Sequence, residues 1–232
     1  MSVLSGDTIK KKIIEDELIV DYGLIVATKR ISGEGDYSVL SPTEMALKEI
    51  KDKTRRILPG PADNYQEDGS EIIKIPYHDI VLNSIGPNGI DVRVSDDFKQ
   101  IKETSIGYVD LYTPPEYVPM EPNEEGAFFI QPGKFCLASI VELIRMPLDV
   151  MGQIDSRSSV GRRGLITQTA TNIQAGWMGN LVLEIKNESP TPIKIYPYDA
   201  LSQIVFYSLD ITTTMPYDGK YQGQNRYTTP IL

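Results

Sequence analysis

The sequence predicts a mainly β protein, a distorted antiparallel barrel or sandwich that carries an N-terminal helix and a second, inserted helix. Three observations lead there. From about Ile72 onward, apolar or alternating runs of strand length recur between Pro, Gly and Asn residues, as in antiparallel all-β folds. No stretch after that point has a helical pattern as strong as the two near the N-terminus. The 232 residues, 41% of them hydrophobic, suffice for one substantial core and suit a single all-β domain over residues 1–232.

The elements follow in chain order. Ser5-Gly-Asp-Thr-Ile-Lys-Lys-Lys-Ile-Ile sets Ile9, Ile13 and Ile14 at helical spacing behind a Ser/Asp cap, which predicts a short amphipathic helix. Ser41-Pro-Thr-Glu44 offers an N-cap, a Pro at the first helical position and a Glu closing a capping box, so a second helix runs from Met45 to Arg56 and ends at Leu58-Pro-Gly-Pro. The surrounding residues, about 33–75, are rich in Gly, Pro, Asp and Glu and read as an insertion. Strands are predicted at Ile90 to Val94, Gly126 to Ile130, Phe135 to Leu143, Leu181 to Lys186 and Ile193 to Ile195. The tail, about 215–232, is polar, aromatic and Gly-rich, and by composition reads as a flexible terminus.

Composition excludes several functions. A net charge of −9 gives no basic field for nucleic acid or anionic membrane. No apolar run approaches a membrane span, and the first residues lack the basic flank and apolar core of a signal peptide, so a cytoplasmic protein is expected. One cysteine, Cys136, and one histidine, His78, cannot supply a zinc site built from Cys and His. That argues against the zinc-dependent nucleobase deaminases and against a serine or cysteine triad, for which His78 would be the sole base. His78 reads as a loop or strand-edge residue.

Chemistry concentrates in two places. Asp155-Ser-Arg-Ser-Ser-Val-Gly-Arg-Arg-Gly164 packs three Ser, three Arg and two Gly into ten residues of an acidic chain. Hydroxyls, open backbone amides and guanidinium forks are what a polyphosphate needs; a polar loop whose arginines pair with surface carboxylates is the alternative. Farther on, Ile173-Gln-Ala-Gly-Trp-Met-Gly-Asn-Leu-Val-Leu-Glu-Ile reads as a turn entering a strand. Alternation puts Leu181, Leu183 and Ile185 on one face and Val182, Glu184 and Lys186 on the other. A strand glutamate ordinarily faces water.

The order of motifs resembles the dCTP deaminases of the trimeric dUTPase-like family, over most of the chain. Leu4-Ser-Gly-Asp-Thr-Ile is similar to their N-terminal helix and Gly89-Ile-Asp-Val-Arg-Val-Ser-Asp-Asp-Phe to their first conserved strand. Pro132-Gly-Lys-Phe-Cys-Leu-Ala and the run from Met146 to Leu165 match their central signature, Thr169 to Glu184 follows in place, and Lys220-Tyr-Gln-Gly-Gln224 repeats their tail motif. Five ordered motifs are a more specific signal than any one of them. Residues of about 25–80 fall outside the likeness.

This resemblance implies a dUTPase-like distorted barrel or jelly roll and hydrolytic deamination of dCTP to dUTP and ammonia without a catalytic metal. It makes Glu184 the general base, with Ser158 and Arg162 positioning the attacking water and the amide end of cytosine. Arg157, Ser158 and Ser159 match phosphate and sugar contacts, as do Lys220 and Gln224 on the tail and, at a shorter gap, Tyr217. Val160, Gly161, Gln174, Val182 and Leu183 complete the expected substrate contacts. Members are homotrimers with sites between subunits and a tail that closes over the nucleotide; Mg²⁺ accompanies the triphosphate and dTTP acts as an inhibitor. Burial would raise the pKa of Glu184 and Arg162 would lower it. Two departures bear on this. The segment from Gly164 to Thr169 is one residue short and lacks a histidine often found there, with Gln168 nearby, which touches the expectation about dTTP. Gln174 stands where relatives carry an aspartate, which weighs against the alternative of a dUTP diphosphatase, alone or combined with deamination. A non-catalytic nucleotide-binding regulator on the same scaffold is a further alternative.

Overall fold

The computed structural model describes residues 2–15, 18–20, 25–30, 37–39, 72–76, 81–82, 84–103, 112, 115–167 and 170–224. Helix α1, Gly6–Ile14, starts where its cap predicts. Ser5 is in extended backbone and its hydroxyl accepts from the Thr8 amide at 3.3 Å, satisfying one of the donors that a helix start leaves without a partner. Ile9 and Ile13, four residues apart, are buried. Ile14 is 59% exposed, contrary to the expected shared face, because one further residue turns the side chain about 100° around the axis.

Sixteen strands and a one-turn helix follow among the described residues: β1 (Ile19–Val20), β2 (Ile25–Arg30), β3 (Tyr37–Val39), β4 (Ile72–Pro76), β5 (Ile90–Ile101), β6 (Tyr117–Pro119), β7 (Phe128–Ile130), β8 (Phe135–Ile140), β9 (Leu143–Arg145), β10 (Val150–Ser156), α2 (Ser158–Gly161), β11 (Leu165–Ile166), β12 (Asn172–Ile173), β13 (Met178–Gly179), β14 (Val182–Asn187), β15 (Ile193–Ile195) and β16 (Ala200–Ser208). Pairing between these strands is antiparallel, and the main sheet runs β11-β14-β8-β5-β16-β10-β12, with β6 added on β5. A smaller sheet, β1-β9-β13, and the two-stranded antiparallel pair of β7 and β15 accompany it. The architecture is thus mainly β with a curled antiparallel sheet, as expected. β2, which precedes the stretch read as an insertion, pairs with β3 inside that stretch and with β4 at its end. The helix predicted over Met45 to Arg56 lies outside the described residues, as do His78 and Gln168.

Strand β5 is longer than the predicted Ile90 to Val94 because it serves two neighbours in turn. Its first residues pair with β16 and its later ones with β8 and β6, and the β8 register shifts between Val94 and Phe98. At that irregularity the buried Ser95 and Ser139 hydroxyls bond each other at 2.8 Å, and the Asp97 amide donates to Ser95 Oγ. A bulge of this kind lets one strand bend from one sheet face to the next. Beyond it Phe98 stacks on Phe128, ring centroids 4.3 Å apart, in a core with Ile90, Val92, Ile140, Leu183, Ile185, Ile204 and Phe206.

The run Phe135 to Leu143, predicted as one strand, is two. The break has a physical cause: Asn180 Nδ2 donates to the carbonyls of Ile140, Val141 and Glu142 at 3.4, 3.2 and 3.0 Å. The buried Glu142 carboxylate in turn accepts from the Arg93 amide at 3.1 Å. Side-chain groups here replace ladder partners, which a buried backbone requires. The start of β7 falls later than Gly126 for a similar reason, since Asn123 Oδ1 accepts from the Glu125 and Ala127 amides and holds those residues in a turn.

Candidate active site

Strand β14 sets the site. Its burial alternates as predicted, with Leu183, Ile185 and Asn187 inward and Val182, Glu184 and Lys186 on the other face. Glu184 is opposite Leu137 of β8, and Leu137 is opposite Lys99 of β5, so the outer face of β14 continues across β8 towards β6. The turn between β12 and β13 and the C-terminal residues 217–224 close the other sides. The result is a cavity of about 360 Å³.

Its lining is chemically sorted. Tyr117, Phe135, Trp177, Tyr217 and Tyr221 give aromatic walls, and Leu137, Ala170, Ile173, Leu181 and Val182 give aliphatic ones. Asn172, Gln174 and Gln224 offer carboxamides, and among the described lining residues Glu184 is the one carboxylate. No Lys or Arg is among them. Glu184 is half-buried, and burial pushes its carboxyl above the ordinary range, since low-dielectric surroundings disfavour the ionised form. Burial also raises the Tyr117 phenol, with the charges of Glu184 and Tyr221 adding to it. Cys136 lies on the core side of β8, and burial pushes its thiol up to about 12, which removes it as a nucleophile.

The predicted site residues divide into two groups. Gln174, Val182, Glu184, Tyr217 and Gln224 meet around the cavity. Leu183 does not present its side chain there; it is buried on the core face, 2% exposed, so that any contact from it to a ligand is a main-chain one. The residues of the Ser/Arg turn are not among the cavity lining of the same chain. They form α2, in which Ser158, Ser159, Gly161 and Arg162 are exposed and Val160 packs against the core. Arg157 is occupied at the root of the turn: its Nε lies 2.9 Å from Asp91 Oδ2 and its Nη1 donates to the Ala200 carbonyl at 3.0 Å. Beneath it the hydroxyls of Ser156, Thr167 and Ser202 form a chain with steps of 2.8 and 2.7 Å. The turn is therefore fixed at its base and presented outward. Lys220 is exposed, with its ammonium 5.5 Å from the Tyr221 ring centroid.

Over its described residues, 215–224, the tail is not the free terminus that its composition suggested; residues 225–232 lie outside the described ones. Tyr217 N donates to the Ala175 carbonyl, Gly223 N to Met178, and Asn180 N to Gln224, at 2.9, 2.9 and 2.8 Å, and Gln224 bridges Gly179 in parallel fashion. Two glycines make room for it. Gly176 has φ +80°, and a Cβ there would lie 2.6 Å from Pro216 Cβ; at Gly179 it would lie 2.6 Å from the Gln224 carbonyl oxygen. The polar, Gly-rich composition that suggested disorder serves backbone pairing.

Several lining residues were missed. Phe135, Leu137, Ala170, Asn172, Ile173, Trp177, Leu181 and Tyr221 all sit inside the quoted motifs, and the outward alternation of β8 could have indicated Phe135 and Leu137. Tyr117, in Pro114-Pro-Glu-Tyr-Val-Pro119, carried no signal, because it reaches the site only through the pairing of β6 with β5.

A family profile described as dCTP deaminase-like matches residues 61–209. The chain is 37% identical over 155 residues to a protein of Sulfurihydrogenibium sp. (strain YO3AOP1) named "dCTP deaminase, dUMP-forming", a match covering 66% of this chain and 84% of that one. It is 34% identical over 150 residues to a protein of Glaesserella parasuis serovar 5 (strain SH0165) named "dCTP deaminase", covering 58% and 77%. Among solved structures, the 2'-deoxycytidine 5'-triphosphate deaminase from Agrobacterium tumefaciens aligns with a TM-score of 0.42 at 21% identity, over 53% of this chain and 38% of that one.

Proposed function

The chain belongs to the dCTP deaminase-like family, and we propose that it hydrolyses dCTP to dUTP and ammonia with Glu184 as general base and without a catalytic metal. One observation carries this reading: a half-buried glutamate, raised by burial, is the one carboxylate among the described residues lining an aromatic and amide-walled cavity. Replacing the cytosine amino group needs one group that takes a proton from water and returns it. As the water oxygen bonds to C4, one of its protons passes to Glu184 and from there to N3, leaving a tetrahedral adduct with a C4 hydroxyl; Glu184 then takes the hydroxyl proton and gives it to the exocyclic nitrogen as the C4–N bond breaks, so that ammonia departs and a C4 carbonyl remains. A carboxylate with an elevated pKa suits both directions of transfer. The aromatic walls stack on base and sugar, and the amides read polar edges.

The triphosphate, carrying Mg²⁺ as part of the substrate, needs cations that the described cavity lining does not offer. The exposed α2 turn with Ser158 and Arg162 fits that need from a neighbouring subunit of a homotrimer, with Lys220 joining from the tail. Arg162 there orients the water and stabilises developing charge. Arg157, already paired with Asp91, holds the turn's shape while its remaining nitrogen faces the phosphates.

A second reading, release of dUMP, is favoured by the names of relatives such as that of Sulfurihydrogenibium sp.. Against it stands Gln174 on the cavity wall, whose amide has no useful basicity for activating a water at the α-phosphorus. The test is to give the protein Mg²⁺ and dCTP and to follow ammonia, dUTP, dUMP and pyrophosphate separately. Ammonia and dUTP are expected in equal amounts with pyrophosphate at background. Pyrophosphate rising in step with ammonia would transfer the assignment to the dUMP-forming reaction, and no ammonia at all would favour a binding protein.

A further inference from the structure

The tail's docking depends on a side chain that no substrate role has claimed. Gln222 is exposed and lies outside the cavity lining, yet its carboxamide makes two bonds to the turn between β12 and β13. Its Nε2 donates to the Gly176 carbonyl and its Oε1 accepts from the Met178 amide, both at 2.9 Å. Only one orientation of the amide satisfies both bonds, and a carboxamide supplies donor and acceptor side by side on one planar group. The two bonds straddle Trp177, whose indole N–H donates to the Tyr221 carbonyl at 2.9 Å. On either side of Gln222 the tail contributes Tyr217, Tyr221 and Gln224 to the cavity wall.

We infer that Gln222 is a positioning residue, a latch that holds the tail on the Gly176–Met178 turn so that Tyr221 and Gln224 complete the pocket wall. The tail reaches the cavity through turns closed by the Gln222 amide on the Gly219 carbonyl at 3.0 Å and the Gln224 amide on the Tyr221 carbonyl at 3.3 Å, so a shift of this segment on its support displaces Tyr221 and Gln224 together. The Gly179–Gln224 bridge, the Tyr217 amide on Ala175 and the Trp177 indole on Tyr221 tie the tail at separate points; the bidentate contact adds two bonds from one side chain to the residues on both sides of Trp177. Its kinetic consequence rests on the deaminase reading; its structural consequence does not.

The chain has one tryptophan, it is 5% exposed, and the tail covers its indole nitrogen, so acrylamide quenching of its fluorescence in the empty full-length protein reports tail docking. Gln222→Ala should make Trp177 several-fold more quenchable. Gln222→Glu, which keeps the acceptor for Met178 but loses the donor to Gly176, should fall between. Gly179→Ala, which drives a Cβ into Gln224 without touching Gln222, should open the tail as well. With Mg²⁺ and dCTP, Gln222→Ala should raise KM about tenfold, equivalent to about 1.4 kcal/mol, with kcat near wild type, since a smaller closed population weakens binding and not the step after it. Unchanged quenching in Gln222→Ala would overturn the inference, and so would opening in Gly179→Ala alone, which would assign the docking to the backbone contacts. A fall in kcat at constant KM would also overturn it, by making Gln222 part of the chemistry. If the wild type releases no ammonia, the quenching series on the empty protein still decides the latch while the activity reading falls.

Discussion

Glu184 pits stability against function. Its carboxyl is raised in the folded state by burial, so the folded protein holds a proton that the unfolded chain has already released. The sign follows from linkage: below the ordinary glutamate pKa both states are protonated and nothing is lost, while stability declines as pH rises from there through the folded pKa. Glu184→Gln keeps the shape and removes the ionisation. Thermal unfolding should therefore show the variant more stable than wild type at neutral pH, with the gain shrinking as pH falls through the folded pKa and gone below the ordinary carboxylate range. A variant equally stable or weaker at neutral pH would mean that Glu184 is well solvated when ionised, which would remove the physical ground for its role as a base. The same elevation places the acid limb of kcat/KM above the usual carboxylate range.

At the scale of elements, Asn180 shows how one side chain organises several. It is buried, caps three carbonyls where β8 gives way to β9, and offers its own amide to the tail at Gln224. Asn180→Ala strands buried carbonyls, which should cost about 2–3 kcal/mol of stability by urea titration; a loss under about 0.5 kcal/mol, the level of a surface change, would show that the carbonyls find other partners. What was legible beforehand divides along the same line. Periodicity found α1 apart from Ile14, the inward side chains Leu183 and Ile185 of β14, and β15 to the residue, because those elements carry their own apolar pattern. It ran β8 into β9, since the interruption comes from Asn180, about forty residues away in sequence. It stopped β5 at Val94, whereas the strand continues through a bulge to Ile101. The tail misled for a related reason: its bonds are made to the turn Ala175–Asn180, and composition does not encode a partner. Within the site, Glu184, Gln174 and Gln224 were legible as parts of motifs, whereas Tyr117 was not, because only the sheet order brings it there.

For the whole molecule, the cavity and the Ser/Arg turn present opposite halves of one chemistry in different places. The cavity has the carboxylate, the aromatic walls and the amides; the turn has exposed hydroxyls and Arg162, rigidly mounted by Arg157, Asp91 and the buried hydroxyl chain. A net charge of −9 makes that local cluster the more important for an anionic substrate. Among the described residues no helix is long and apolar enough to cross a membrane, and no group of His, Cys, Asp and Glu forms a metal cluster. The central claim, a Glu184-driven deamination completed by a neighbour's Arg162, meets its most direct test in ammonia release from Mg²⁺ and dCTP by three preparations: Glu184→Gln, Arg162→Ala, and the two co-expressed so that subunits mix. Each variant alone should lose at least about a hundredfold in rate, and the mixed assembly should recover a substantial fraction, because some sites then pair an intact Glu184 with an intact Arg162. A Glu184→Gln protein that still releases ammonia near the wild-type rate, or a mixture no faster than its two components, would contradict it.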